Sequence, residues 1–427
     1  MDDPIDNVAS AWKPARRMRW LLFGIFALSY VGITARRMQV LPLGRPAMAL
    51  VGAVFMVGIG SWAGDIGLSI DEALAAVERH TLALLLGMMI VAAGLGEAGF
   101  FVLAARFLHR FVVGRAQLLW AVTIGSGLLS AAMLNDAVCL LATPLVVRLA
   151  HALRAPMRPF LFAVAMGSNA GSSLTLTGNP QNMLVAQLSG LFYAEYFVRA
   201  FVPGLLALVV VAAVLHLIFR HEIERVEYQG DESFSPHVDP VLLWAALLCV
   251  GALLVANLLG APLSLTALAA ASVVLLAARK RAEALLGQVD WSLLLFFAAL
   301  FVLVAGLEKT GLPAEALGAM GAPTSGPSSL LVLSGVLLFG SQVVSNVPLI
   351  LLLSPWLKSF SDPVLTWTTT ALVATLAGNL TVLGSVANVI VLERARTQIG
   401  FLEYLRVGVP VTLLSTALAL AALAVLS

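Results

Sequence analysis

Charge is scarce in this sequence: only 11% of its 427 residues are Asp, Glu, Lys or Arg, while 60% are hydrophobic. Soluble globular domains carry about 25% charged residues, so a water-soluble fold is excluded. The formal net charge of +2 gives no basis for a nucleic-acid partner. Cysteine is nearly absent too. Cys139 and Cys249 lie in apolar surroundings without CxxC spacing, which excludes a disulfide framework and a thiolate metal site. Both read as small buried hydrophobes. No GxxxxGK[ST] loop occurs, so the chain does not hydrolyse ATP by that route. The lack of GxSxG and HExxH argues against an intramembrane hydrolase. The chain reads as a non-enzyme with no cofactor and no bound metal.

What is abundant is apolar sequence in runs long enough to cross a bilayer, each needing about 20 residues. Runs of this kind predict an all-α polytopic membrane protein, because lipid forbids open sheet edges. Helices are expected over 19–35, 46–62, 81–104, 157–176, 201–219, 239–258, 262–278, 291–306, 364–380 and 405–426. Two further stretches, 116–152 and 328–359, carry polar residues at their centres and read as re-entrant hairpins. The segment behind Lys13, Arg16, Arg17 and Arg19 lacks a small-residue cleavage signature, so it is kept as a helix. Arg220 to Pro240 is the longest polar stretch and reads as a linker over 221–238.

Basic residues orient the chain. One topology gathers 17 of the 25 Lys and Arg on the cytoplasmic side, among them Arg36, Arg37, Arg106, Arg110, Arg115, Arg148, Arg225 and Arg281. It places Asp71 and Glu72 on the other side, and both termini outside the cytoplasm. The four basic residues before the first helix favour the opposite, and the side of the N-terminus stays open.

The two halves resemble each other. Gly94, Leu95 and Gly99 reappear at Gly306, Leu307 and Gly311 with an offset of 212. Asn135 and Pro144 reappear at Asn346 and Pro355 (211), Asn169 at Asn379 (210), and Gly178 and Asn182 at Gly384 and Asn388 (206). The expected organisation is a first inverted repeat over 1–220, with hairpin 116–152 and an unwound helix over 157–190. A second follows over 239–427, with hairpin 328–359 and an unwound helix over 364–394. Inverted repeats with interrupted helices are a signature of secondary transporters.

Four polar clusters interrupt apolar helices. They are Asn135-Asp136, Ser168-Asn169 with Thr177-Gly178-Asn179 and Asn182, Ser345-Asn346, and Asn379 with Thr381, Gly384-Ser385 and Asn388. Gly frees the backbone from the helix, while Asn, Ser and Thr supply both donors and acceptors. Such groups in lipid need partners or a wet cavity. These residues are the candidate substrate and ion site. Asp136 is the sole carboxylate at the centre of either hairpin, with Val347 as its counterpart. Burial would raise its pKa toward neutrality, suiting it to proton coupling. Glu97 and Glu308 read as helix-end residues, His216 as interfacial, and His80 and His151 as loop residues without metal-ligand spacing.

The stretches Ser168–Ser172, Thr177–Asn182 and Ala377–Asn388 resemble the ion transporter superfamily. It includes arsenite permeases, sodium/proton antiporters, divalent anion/sodium symporters and citrate carriers. The resemblance covers nearly the whole chain and is nearest to the arsenite permease and plant silicon-efflux branch. The apolar runs give about ten transmembrane helices, and the resemblance implies an elevator-type homodimer with scaffold and transport domains. It also implies a central site at both hairpin tips and at unwound Thr177–Asn182 and Thr381–Asn388. The symporters carry Ser-Asn-Thr at both tips; here Asn135-Asp136 and Ser345-Asn346-Val347 depart from it, which favours a proton over sodium as coupling ion. The expected function is proton-coupled efflux of arsenite, antimonite or silicic acid across the cell inner (plasma) membrane. An organic or inorganic anion carrier, or a sodium/proton antiporter, is the alternative; a channel or intramembrane enzyme is disfavoured. The residues leave open whether an ATPase subunit assists.

Overall fold

The computed structural model describes residues 4–34, 44–62, 64–111, 114–152, 154–224, 238–319 and 323–426. Among these, regular structure is helical throughout. The chain begins with α1 (Pro4–Thr34), α2 (Arg45–Gly60), α3 (Ile70–Ala76), α4 (Arg79–Glu97) and α5 (Phe100–Phe111). There follow α6 (Arg115–Ala132), α7 (Asn135–Ala152), α8 (Met157–Ser172), α9 (Pro180–Ser189) and α10 (Tyr193–Glu224). Next come α11 (Pro240–Leu258), α12 (Leu263–Ala278), α13 (Ala282–Gly287), α14 (Trp291–Lys309) and α15 (Leu312–Ala319). The chain closes with α16 (Pro327–Val344), α17 (Asn346–Leu357), α18 (Pro363–Ala377), α19 (Val386–Arg394) and α20 (Phe401–Leu426).

Among the described residues, six helical segments are long and apolar enough to cross a membrane: those of α4, α10, α11, α12 with α13, α14 and α20. Helices α2, α8 and α18 are apolar but only 16, 16 and 15 residues long. The expected helix 81–104 is two helices. Gly99 takes φ +86°, a left-handed conformation that terminates α4, and α5 starts at the next residue. Gly311, at φ +73°, does the same between α14 and α15. Residues 221–224 of the expected linker continue α10. Residues 225–237 of that linker, with Arg225, lie outside the described residues, as do Arg36 and Arg37. His80 and His151, expected in loops, sit in the first turn of α4 and the last turn of α7.

Two compact units form, each drawing on both halves of the sequence. The first comprises residues within 1–82, 290–329 and 348–360. In it α14 and α1 close on α2 through glycine: a Cβ on Gly306 would lie 2.3 Å from Met56, and one on Gly52 2.1 Å from Ser29 Oγ. At the end of α14, Lys309 Nζ donates to Glu72 of the short helix α3 at 2.6 Å and holds that carboxyl at about 2, below the usual carboxylate range. A lowered carboxyl pKa means that this pair's support is present above about pH 4.3. It fades as pH falls toward 2.

The second unit comprises residues within 83–289, 330–347 and 361–427. Helix α4 packs on α12 through Gly87 and Gly94, whose Cβ atoms would meet Ala267 at 2.6 Å and Val274 at 2.4 Å. Arg281 pairs with Asp239, the N-cap of α11, and with Glu97 at 3.6 Å, which accounts for Glu97 at the end of α4. Helices α6 and α8 touch backbone to backbone. A Cβ on Gly171 would lie 2.1 Å from Gly127 O, and one on Gly167 2.5 Å from Thr123 O. Ser130 and Ser168 bond across the same seam at 2.7 Å. Lipid offers no hydrophobic drive between helices, so small residues that allow close approach hold them.

This seam generates a matched prediction. Gly171→Ala forces the α6 and α8 backbones apart, an overpacking worth about 1–3 kcal/mol. Gly251→Ala in α11, where a Cβ meets nothing within 4 Å, gains a few tenths up to about 1 kcal/mol. Thermal melting in detergent should fall for the first variant and hold or rise for the second.

Candidate functional site

The site begins where two helices stop. Helix α8 ends at Ser172 and α18 at Ala377, both fully inside the second unit, and each is followed by a short non-α-helical stretch and a new helix. Asn179 caps α9, its Oδ1 accepting from Asn182 N at 2.8 Å. Ser385 caps α19, its Oγ accepting from Ala387 N at 3.3 Å. Asn182 and Asn388 therefore lie in the first turns of α9 and α19, not in unwound chain as expected. A side-chain oxygen that captures an orphan N–H lets the helix restart there.

Helix ends also leave carbonyls bare. Asn182 Nδ2 donates to the carbonyls of Ser172 (3.2 Å) and Thr175 (2.9 Å). Asn388 Nδ2 donates to those of Gly378 (2.8 Å) and Thr381 (3.0 Å). In both cases the acceptors stand ten and seven residues before the asparagine. Both turns are tight: a Cβ on Gly178 would sit 2.4 Å from Ser172 O, and one on Gly384 2.9 Å from Gln342 Oε1 and 3.0 Å from Gly378 O.

Each break is then tied to the other. Asn169 Nδ2 donates to Asn379 Oδ1 and Asn388 Oδ1, both at 3.0 Å. Its Oδ1 accepts from Asn135 Nδ2 (3.1 Å) and Ser385 Oγ (3.0 Å), so the amide is saturated. Asn379 Nδ2 in turn donates to Met166 O at 3.1 Å. Thr375 Oγ1 accepts from Asn179 Nδ2 and donates to Asn182 Oδ1, both at 3.0 Å. Asn169 thus holds Ser385 and Asn388 as Thr375 holds Asn179 and Asn182, every pair separated by 206 residues. By its bonds the counterpart of Asn169 is Thr375, one turn before the Asn379 expected from sequence order.

The hairpin tips complete the arrangement. Asn135 N donates to Gly178 O at 2.9 Å, and its carbonyl accepts from Ser168 Oγ at 3.2 Å. This docks the tip of α6–α7 directly on the first break, between Thr177 and Asn179. Asp136 is buried in the first turn of α7. At the second tip Ser345, in left-handed conformation at φ +65°, joins α16 to α17. Ser345 and Asn346 are tied to the breaks through Gln342, one turn earlier. Gln342 Nε2 donates to Ala377 O at 2.9 Å, and its Oε1 accepts from Thr381 Oγ1 at 2.8 Å. Asn135 and Asn346 are 2% and 5% exposed, and the Oδ1 of each finds no donor among the described residues.

Ser172, Thr175, Gln342 and Thr375 were not among the expected site residues. Thr375 sits in the run Thr366–Thr370 to Ala377, where a single hydroxyl does not stand out; aligning the halves at an offset of 206 would have marked it. Thr375→Val removes both of its bonds and leaves Asn182 Oδ1 unpaired, a loss of about 1–3 kcal/mol. Thr375→Ser keeps the hydroxyl. Melting in detergent should drop clearly for the valine variant and little for the serine one.

Comparison with known proteins agrees with this architecture. Residues 30–377 match the citrate transporter family, CitMHS. The chain is 30% identical to the silicon efflux transporter LSI3 of Oryza sativa subsp. japonica, over 96% of this chain and 98% of that one. It is 25% identical to the putative transporter arsB of Dictyostelium discoideum, over 91% and 89%. Among solved structures, the Alcanivorax borkumensis YdaH transporter shares the fold at TM-score 0.53 and 16% identity, over 96% and 98%. Neisseria gonorrhoeae MtrF does so at TM-score 0.55 and 13% identity, over 95% and 94%. A polytopic helical chain with paired helix breaks, matched to these proteins over nearly its full length, is a membrane transporter belonging to the citrate transporter (CitMHS) family of the ion transporter superfamily.

Proposed function

We propose that this protein exports a small neutral metalloid hydroxide, arsenite, antimonite or silicic acid, in exchange for protons across the plasma membrane. The observation that carries the reading is the pair of buried, donorless carbonyl oxygens at the hairpin tips, Asn135 Oδ1 and Asn346 Oδ1. A buried acceptor without a donor is unfavourable by about 1–3 kcal/mol, and a solute bearing several hydroxyls relieves two such groups at once. The surrounding Asn, Ser and Thr side chains are neutral, so a neutral solute needs no compensating charge. The names of the rice and Dictyostelium relatives, silicon efflux and arsB, point the same way.

In this reading the two halves are inverted repeats, and the unit carrying both breaks moves as an elevator in a homodimer. Asp136 takes up a proton as substrate leaves and releases it on the opposite side. Each charge moved gains about 2.3 kcal/mol per 100 mV of membrane potential. The departure of both tips from Ser-Asn-Thr favours a proton over sodium.

A second reading is transport of citrate or another organic anion. The family description favours it, and so do the helix N-termini at Asn135, Pro180, Asn346 and Val386, since such ends attract anions.

Inverted vesicles with an imposed proton gradient and no sodium separate the two. Gradient-dependent accumulation of arsenite or antimonite supports the proposal. Its absence, with citrate accumulated instead, overturns it. Asp136→Asn should abolish gradient-driven accumulation while leaving substrate exchange at equilibrium, and full driven transport by that variant would remove Asp136 from the coupling. Asn346→Ala should raise KM about five- to 150-fold, the range of a lost buried hydrogen bond, with little change in melting temperature.

A further inference from the structure

A groove of about 690 Å³ opens in the second unit between α5, α6, α7, α8 and α11, away from the polar breaks. That volume is within the range of about 300–1,000 Å³ typical of small-molecule sites. Its walls include Phe100, Leu103, Phe107, Leu128, Leu145 and Leu247, and none of its lining residues carries a charge. Phe107 and Leu128 at the rim are 62% and 49% exposed. An apolar cleft of this size is too unfavourable for water and too nonpolar for the hydroxylated or anionic solutes considered above.

The wall formed by α5 supplies the second element. Phe100, Leu103 and Phe107 form one stripe of this twelve-residue helix, and exposed Arg106 lies about a quarter turn from it. Arg110 follows four residues later in the sequence. A short helix with aromatic residues on one side and arginine on another lies in the interface and attracts anionic lipid.

We propose that this groove holds an acyl chain of an anionic phospholipid whose headgroup rests against Arg106. The chain fills the space between α5 and the α6–α7 hairpin, so the lipid is a bound component of the folded unit and not a passing neighbour. The inference does not depend on which solute is transported.

The test uses the full-length protein in detergent with phosphatidylglycerol or phosphatidylcholine carrying a photoreactive group in the acyl chain, followed by peptide mapping. Phosphatidylglycerol should label α5, α6 and α7 around Leu103, Leu128 and Leu145. It should exceed phosphatidylcholine about fivefold, the preference conferred by one arginine near an anionic surface. Arg106→Gln should bring that ratio close to one while labelling of the groove persists. Ala121→Trp, which fills the cleft, should abolish groove labelling by both lipids. Arg106 is exposed, so its variant keeps the test decisive if Ala121→Trp fails to fold. Equal labelling by the two lipids, or labelling no stronger in the groove than at Trp244 and Leu276 on the outer faces of α11 and α12, would overturn the proposal.

Discussion

A backbone that leaves the helical path inside a membrane exposes carbonyls and amides that lipid cannot satisfy. Two asparagines, Asn182 and Asn388, meet that demand here, each bonding one carbonyl at the end of the preceding helix and one in the connection that follows it. Each can do so because its helix restarts at a capped position, Asn179 or Ser385, which fixes the side chain under the broken end. The glycines between them are required by the closeness of the turn. Removing either asparagine would bare two carbonyls in the interior of the unit and undo the local reversal of the chain.

Satisfying the backbone consumes most of the polar side chains. Asn169 is saturated, and Thr375 is used on both sides of its hydroxyl. Of the buried side-chain amide oxygens among the described residues, the two left without a donor are those at the hairpin tips, while the Thr177 hydroxyl at the first break is also unpaired. The breaks hold the fold, and the proposed substrate site falls where the tips leave amide oxygens unpaired. The two tips are held differently, the first by backbone and side chain of Asn135, the second through Gln342. The second hairpin has fewer polar ties to the breaks and a non-glycine residue, Ser345, in left-handed conformation.

The helical class, the hairpin centres and the four polar clusters were legible from the sequence because they contrast with their surroundings. Asn135, Asn169 and Asn388 stand out in apolar runs, and they do meet. Asn182 and Asn388 were placed in unwound chain because a Gly-Asn-Pro or Gly-Ser stretch looks uniformly helix-breaking; capping reverses this within a few residues. Gly99 marks the repeat with Gly311 in the sequence, but that it ends a helix shows only in its positive φ between α4 and α5. Thr375 was hidden for the opposite reason, a hydroxyl in a helix that already has many. The composition could not show that each compact unit draws on both halves of the chain, since that depends on long-range packing.

The account rests on both tip asparagines binding one solute together. The most direct measurement is a double-mutant cycle on the Kd of arsenite or antimonite for the purified protein, using Asn135→Ala, Asn346→Ala and the pair. If one hydroxide spans both oxygens, each single variant weakens binding and the pair shows a coupling of at least about 0.5 kcal/mol, as groups sharing a partner do. Strictly additive losses, or unchanged affinity in both single variants with melting intact, would contradict it.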